Sequence, residues 1–219
     1  MRVLAGGTDK QANDAVLPRK EPVQARSRQR FARILQEATQ LIDQQGVDAV
    51  SMKDIAKNAE ISIASLYQYF PDKASIVATL AHQLYDEGQQ CVQAIFAEVS
   101  HADQLEQALI DMLDSYMDCF RLVPGAFAIW QATQSDHRLQ QLDAADCAAH
   151  EATLCQTLER IAPQITDQAD MLAKAWVGLI ASLVRSAVVL ELTEGARFLA
   201  LCKDQLLIPS VRHSLIRCG

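Results

Sequence analysis

Ser51–Ile76 reads SMKDIAKNAEISIASLYQYFPDKASI, and the way this stretch divides decides the fold. Ser51 stands three residues before Asp54, the spacing of a capping box, in which each side chain satisfies a free backbone N–H at a helix start. Val50 before the cap and Ile55 after it occupy hydrophobic-staple positions, which fix the angle at which the chain enters the helix. The signal recurs at Ser62, with Ile61 outside the cap and Leu66 at the fourth helical position, and this second helix runs to about Tyr69. Asn58 to Ile61 leaves space only for a tight turn, so the two short helices cross steeply instead of lying side by side. The pattern is a helix-turn-helix. Pro71 and Asp72 then stop that helix and cap another, which carries Ile76, Leu80 and Leu84 on one face and Gly88 nearer its end.

On the N-terminal side, Phe31, Ile34, Leu35, Ala38, Leu41 and Ile42 recur at helical spacing, and Gly46 falls where a C-terminal cap belongs. Residues 1–24 lack that periodicity, contain Pro18 and Pro22, and are expected to form a flexible basic arm. Toward the C-terminus, helical periods run from about Leu105 to Phe120, Ala126 to Gln134, Leu139 to Ile161, Asp167 to Leu192 and Glu194 to Leu207. Pro124-Gly125, Pro163 and caps at Thr166, Asp167 and Thr193 punctuate them. The expected fold is all-α, with about nine helices.

Half of the 219 residues are apolar, enough to bury a sizeable core. The formal net charge of −7 is unevenly spread. Between Arg19 and Arg33, the cations Arg19, Lys20, Arg26, Arg28, Arg30 and Arg33 meet only Glu21, a concentration that suits phosphate contact. From Ala74 onward the chain is acidic and a poor nucleic-acid surface. Cys91, Cys119, Cys147, Cys155, Cys202 and Cys218 show neither CxxC nor Cys/His ligand spacing and read as reduced cytosolic thiols. A redox-sensing Cys147 or Cys155 would require an exposed thiolate of low pKa. Met1 to Val16 lacks the apolar stretch of a secretory signal. Met171 to Leu192 is the most apolar stretch, but Lys174 and Arg185 interrupt it, which favours a buried or dimer-forming helix over a membrane span. A cytoplasmic protein without membrane contact is expected.

Ser51–Ile76 closely resembles the signature of the TetR (tetracycline repressor) family, S/T-x-x-x-IA-x-x-A-x-x-S followed by LY-x-YF and a Lys shortly after. The resemblance covers roughly residues 26 to 85, and beyond them only the number and order of helices agree. It implies an all-α dimer in which residues 25–72 form a helix-turn-helix DNA-binding domain and residues 73–212 a ligand-binding and dimerisation domain. Lys73 matches the family's phosphate-clamping lysine, and Ser51 its cap that also touches the phosphate backbone. Glu60 stands where the family usually places Gly in the turn, so the backbone there is expected to avoid positive φ or to be strained.

Within the motif, Ile55, Ala56, Ala59, Leu66 and Phe70 read as its small core. Tyr67, Gln68 and Tyr69 crowd one turn with groups that can donate to phosphates or meet base edges. Ile63, Ala64 and Ser65, just after the cap Ser62, sit where a recognition helix enters the major groove, and the apolar pair suits contact with thymine methyls. Arg28 joins this DNA-facing set from the basic run. The arm over residues 1–24 is either a further DNA contact or a plain tail.

For an effector, Met112, Tyr116 and Phe120 share a helical face, and Phe127, Trp130 and Gln131 follow the Pro124-Gly125 break, with Trp176 on a later helix. Each is equally readable as ordinary core. The Asp167–Leu192 helix is apolar nearly all round and has to be covered on two sides. Gly178, Leu179, Ser182, Leu183 and Leu190, with Phe198 and Cys202 of the last helix, are the expected contacts of an intersubunit four-helix bundle. Asp146 and His150 lie one turn apart near His137 and Glu151, but a solvated helix face explains them better than a metal, and no cofactor is expected. No nucleophile elbow, phosphate loop, paired-carboxylate spacing or zinc signature supports an enzyme. The expectation is a transcriptional regulator, a repressor of a palindromic operator in double-stranded DNA that a small, largely apolar molecule releases; the alternative is a ligand-binding or interaction module of the same fold without DNA regulation.

Overall fold

The computed structural model describes residues 25–216, so the arm expected over residues 1–24, and Cys218, lie outside the described residues. The described chain is all-helical: α1 (Ala25–Ala49), α2 (Met52–Asn58), α3 (Ile63–Tyr69), α4 (Lys73–Ala97), α5 (Leu105–Leu122), α6 (Ala126–Ser135), α7 (His137–Ile161), α8 (Ala169–Val188), α9 (Leu192–Cys202) and α10 (Ile208–Ile216). A π turn over Lys203–Leu207 carries α9 into α10 without a break, so nine helices result among the described residues when that run counts as one.

The described residues group into two compact units, one up to Leu84 plus Pro124–Asp143, the other Tyr85–Val123 plus the chain from Ala144. This differs from a partition at residues 72 and 73, for two physical reasons. The first turns of α4 bury Ile76, Val77, Leu80 and Ala81, and α6 packs on α1.

In the first unit α1 turns Ile34, Leu35, Ala38 and Ile42 inward against Ile55, Ala56, Leu66 and Phe70, all buried. Gly46, expected as the cap that ends α1, breaks the helix at φ 76 and ψ 161, after which helical geometry resumes to Ala49. That backbone conformation is essentially confined to glycine. Gly125 starts α6 at φ 71, and its backbone N–H donates to Asp43 Oδ1 at 2.7 Å, tying α6 to α1.

In the second unit α8 packs between α5 and α9. Its Ala173, Trp176, Val177, Ile180, Val184 and Ala187 are buried, while Met171, Lys174, Ala175, Gly178 and Ser182 are exposed. Pro163–Val188 is the one stretch among the described residues that is long and apolar enough to cross a membrane, yet its apolar stripe is taken up by this packing. Arg160 reaches from α7 to the carbonyls of Val99 at 2.6 Å and Phe96 at 3.1 Å and so ties α7 to the C-terminal end of α4.

Candidate nucleic-acid interface

Local chemistry builds the helix-turn-helix as the sequence suggests. Ser51 Oγ accepts from the Asp54 backbone N–H at 3.2 Å while the Asp54 carboxylate accepts from the Ser51 backbone N–H at 3.3 Å, a complete capping box. The Ser51 hydroxyl also donates to that carboxylate, and these hydrogen bonds from Ser51 hold the Asp54 carboxyl below its ordinary range. Ser62 Oγ accepts from the Ser65 backbone N–H at 3.1 Å and starts α3. Asp72 caps α4 through the Ser75 backbone N–H at 2.8 Å.

Between α2 and α3 the turn runs through Glu60 at φ 54, a left-handed conformation that costs a non-glycine residue roughly 1–2 kcal/mol. Of the two outcomes expected at this position, strain is the one found. The Glu60 carboxylate pairs with Arg33 of α1 at 2.9 Å, both side chains well exposed.

On α3 the proposed reading residues separate. Ile63 is 41% exposed and Tyr67 44%, and Ala64 and Gln68 are exposed with them. Ser65 is half-buried. Tyr69 is only 7% exposed, its ring lies 6.2 Å from that of Phe31, and its hydroxyl is 3.0 Å from Ser27 Oγ. The signal was present, because Leu66, Tyr69 and Phe70 share one helical face while Tyr67 and Gln68 fall on the other. Ser27 itself had no sequence signal.

Lys73 is half-buried, and its ammonium group donates to the carbonyls of Val47 at 2.6 Å and Asp48 at 3.2 Å. Those acceptors follow the break at Gly46, so the lysine ties α4 to the end of α1. Arg28 is exposed on the first turn of α1. Arg138 at the start of α7 pairs with Asp72 at 3.1 Å and with Asp136 at 2.9 Å; no sequence pattern marked this triad.

The effector residues fall in two groups. In the second unit Met112 and Phe120 are buried, and the rings of Tyr116 and Phe120 lie 4.8 Å apart. In the first unit Phe127 and Trp130 stack at 5.6 Å, Trp130 donates its indole N–H to Asp143 at 3.0 Å, and Gln131 is exposed. Trp176 is 2% exposed, with its indole N–H donating to Ser210 Oγ at 3.1 Å. An open groove between α4 and α7, lined by Gln93, Phe96, Thr153, Gln156, Thr157 and Arg160, contains none of these residues.

Among the proposed subunit contacts, Gly178 and Ser182 are exposed, and Leu179, Leu190 and Phe198 half-buried. Leu183 and Cys202 are buried in the unit where α8 packs on α9. The open apolar side chains of this region are instead Met171, Val189, Leu192 and Leu201, which periodicity alone could not separate from the inward stripe.

Asp146 and His150 pair with each other at 3.4 Å, and Gln89 donates to Asp146 at 2.9 Å. The Cys119 thiol is pushed up to about 11 by burial, then by the carboxylates of Glu87 and Asp146 and by Cys91. Burial and Glu159 also raise Cys155. Both shifts oppose formation of a thiolate at neutral pH, the species a cysteine sensor needs.

A model of the tetR family of bacterial regulatory proteins matches residues 34–80, and one of the tetracyclin repressor-like C-terminal domain matches residues 103–207. The "HTH-type transcriptional repressor KstR" of Mycolicibacterium smegmatis is 33% identical over 67 residues, 31% of this chain and 33% of that protein. The "Probable HTH-type transcriptional regulator YttP" of Bacillus subtilis is 26% identical over 77 residues, 35% of this chain and 37% of that protein. The chain thus spans little more than a third of the length of these curated relatives. The structure of Salmonella enterica GusR superimposes with a TM-score of 0.60 at 16% identity, over 89% of this chain and 99% of that one, a likeness of fold. With a capped helix-turn-helix followed by the matching C-terminal domain, the chain belongs to the tetR family, whose members are DNA-binding transcription regulators and not enzymes.

Proposed function

We propose that this protein is a cytoplasmic, homodimeric repressor that binds a palindromic operator and is released from it by a small, largely apolar effector. The observation that carries the reading is the exposed face of α3, where Ile63, Ala64, Tyr67 and Gln68 stand clear of the core while the opposite face is buried. A seven-residue helix held by its own cap and by Leu66 and Phe70 is a rigid mount for such a face. Arg28 on α1 supplies a cation for phosphate contact.

A twofold partner would set two copies of α3 about 34–36 Å apart, one turn of B-DNA, which is why a palindrome is expected. The line Met171, Ala175, Gly178 and Ser182 along α8, with Val189 just past its end, is the subunit contact we favour, since its small central residues let a second helix approach closely. The effector is assigned Tyr116 and Phe120 of the second unit, whose rings lie 4.8 Å apart, as the pair to substitute first. By binding one arrangement of the dimer better than the other, it shifts the population between them. α4 begins directly after the reading helix and runs from the first unit into the second, which makes it the covalent route for that shift.

The test is selection of random duplex DNA on the purified full chain at two salt concentrations. An enriched inverted repeat, with affinity for it reduced at least tenfold by Tyr67→Ala plus Gln68→Ala, is the expected result. Enrichment of no sequence at either salt, with ligand binding retained, would instead favour a sensing module without DNA regulation. Lys73 is left intact in this test, because removing it would loosen the junction of α1 and α4 and confound the result.

A further inference from the structure

We propose that Ile63 reads the C5 methyl group of a thymine in each operator half-site and is a main determinant of base preference. This rests on the DNA-binding reading above. Ile63 is the first residue of α3 and is 41% exposed, although a β-branched apolar side chain on a helix surface gains nothing from water. Ala64 beside it is exposed as well, and Tyr67, one turn on, is 44% exposed.

The polar inventory of the helix narrows what this face can recognise. Ile63–Tyr69 contains no arginine, lysine or asparagine, so it lacks the bidentate cationic donors that read the O6 and N7 of guanine. Ser62 Oγ accepts from the Ser65 backbone N–H, Ser65 is half-buried, and the Tyr69 hydroxyl is engaged with Ser27. Gln68 remains as an exposed amide, of the kind that pairs with the N6 and N7 of adenine. The apolar feature that the major-groove edge offers is the thymine methyl, and it is the natural complement to the Ile63 side chain.

The experiment uses the full chain and the duplex enriched by selection, with each thymine replaced singly by deoxyuridine, which removes the methyl and leaves every hydrogen-bonding group in place. At one position per half-site the replacement should weaken binding about fourfold, the effect of burying one methyl group, and about fifteenfold when both half-sites carry it. Ile63→Ser, an exposed change whose fold is checked by its melting temperature, should bind the thymine and deoxyuridine duplexes equally. Affinities within twofold at every deoxyuridine position, or undiminished discrimination by Ile63→Ser, would overturn the assignment while leaving the regulator reading intact. Failure to enrich any inverted repeat would overturn both.

Discussion

Glu60 shows how one residue can hold a motif in shape at a cost. Its left-handed φ of 54 is where glycine would be free of strain, and its ion pair with Arg33 joins two well-exposed side chains. Strain relief on replacement by glycine is roughly 1–2 kcal/mol. Against it stand the added backbone freedom of glycine in the unfolded chain, about 0.5–1 kcal/mol, and the exposed pair, about 0–1 kcal/mol. Central values leave a small gain, so Glu60→Gly is expected to raise stability by about 0.3 kcal/mol in urea unfolding, with Glu60→Gln isolating the pair. A loss of stability in Glu60→Gly that Glu60→Gln reproduces would mean that the pair outweighs the strain.

At the scale of the element, the approach of α9 to α8 depends on Gly195. A Cβ placed there would lie 2.7 Å from the Ala187 carbonyl oxygen and 2.9 Å from the Arg121 guanidinium. The arginine can swing aside, but the backbone oxygen cannot. Alanine improves helix propensity by about 1 kcal/mol, whereas overpacking a fixed contact costs about 1–3 kcal/mol. Gly195→Ala should therefore be destabilising by about 1 kcal/mol, and a higher melting temperature would refute the close contact.

The elements themselves were largely legible because their signals are local. The cap at Ser51, the cap at Ser62, the break at Pro71 and the periods of α5 through α9 each lie within a few residues of what they determine. Tyr69 was also legible through its spacing from Leu66, but the polar hydroxyl masked an otherwise buried ring. The bonds of Lys73 to Val47 and Asp48, of Gly125 to Asp43 and of Arg138 to Asp72 join residues 25 to 82 positions apart and leave no periodic trace. The orientation of α8 was ambiguous for a different reason: with apolar residues nearly all round, its pattern did not say that Leu183 faces the protomer and Gly178 faces out.

For the whole molecule, the interleaving of the two units matters most. The chain leaves the first unit after Leu84, returns at Pro124 and leaves again after Asp143. A fragment ending at Leu84 therefore keeps the helix-turn-helix but loses α6, which packs on α1 and is tied to Asp43. Such a fragment should unfold with weak cooperativity and a midpoint well below that of the full chain, as followed by circular dichroism in urea; a sharp transition at the same midpoint would show that α6 is dispensable. The same threading bears on how such a gene can be rebuilt. Exchanging the C-terminal part with a relative by one crossover near codon 84 would import a foreign α6 to sit on the resident α1, so a working hybrid needs breakpoints on both sides of residues 124–143, or an inherited match at Asp43 and Gly125.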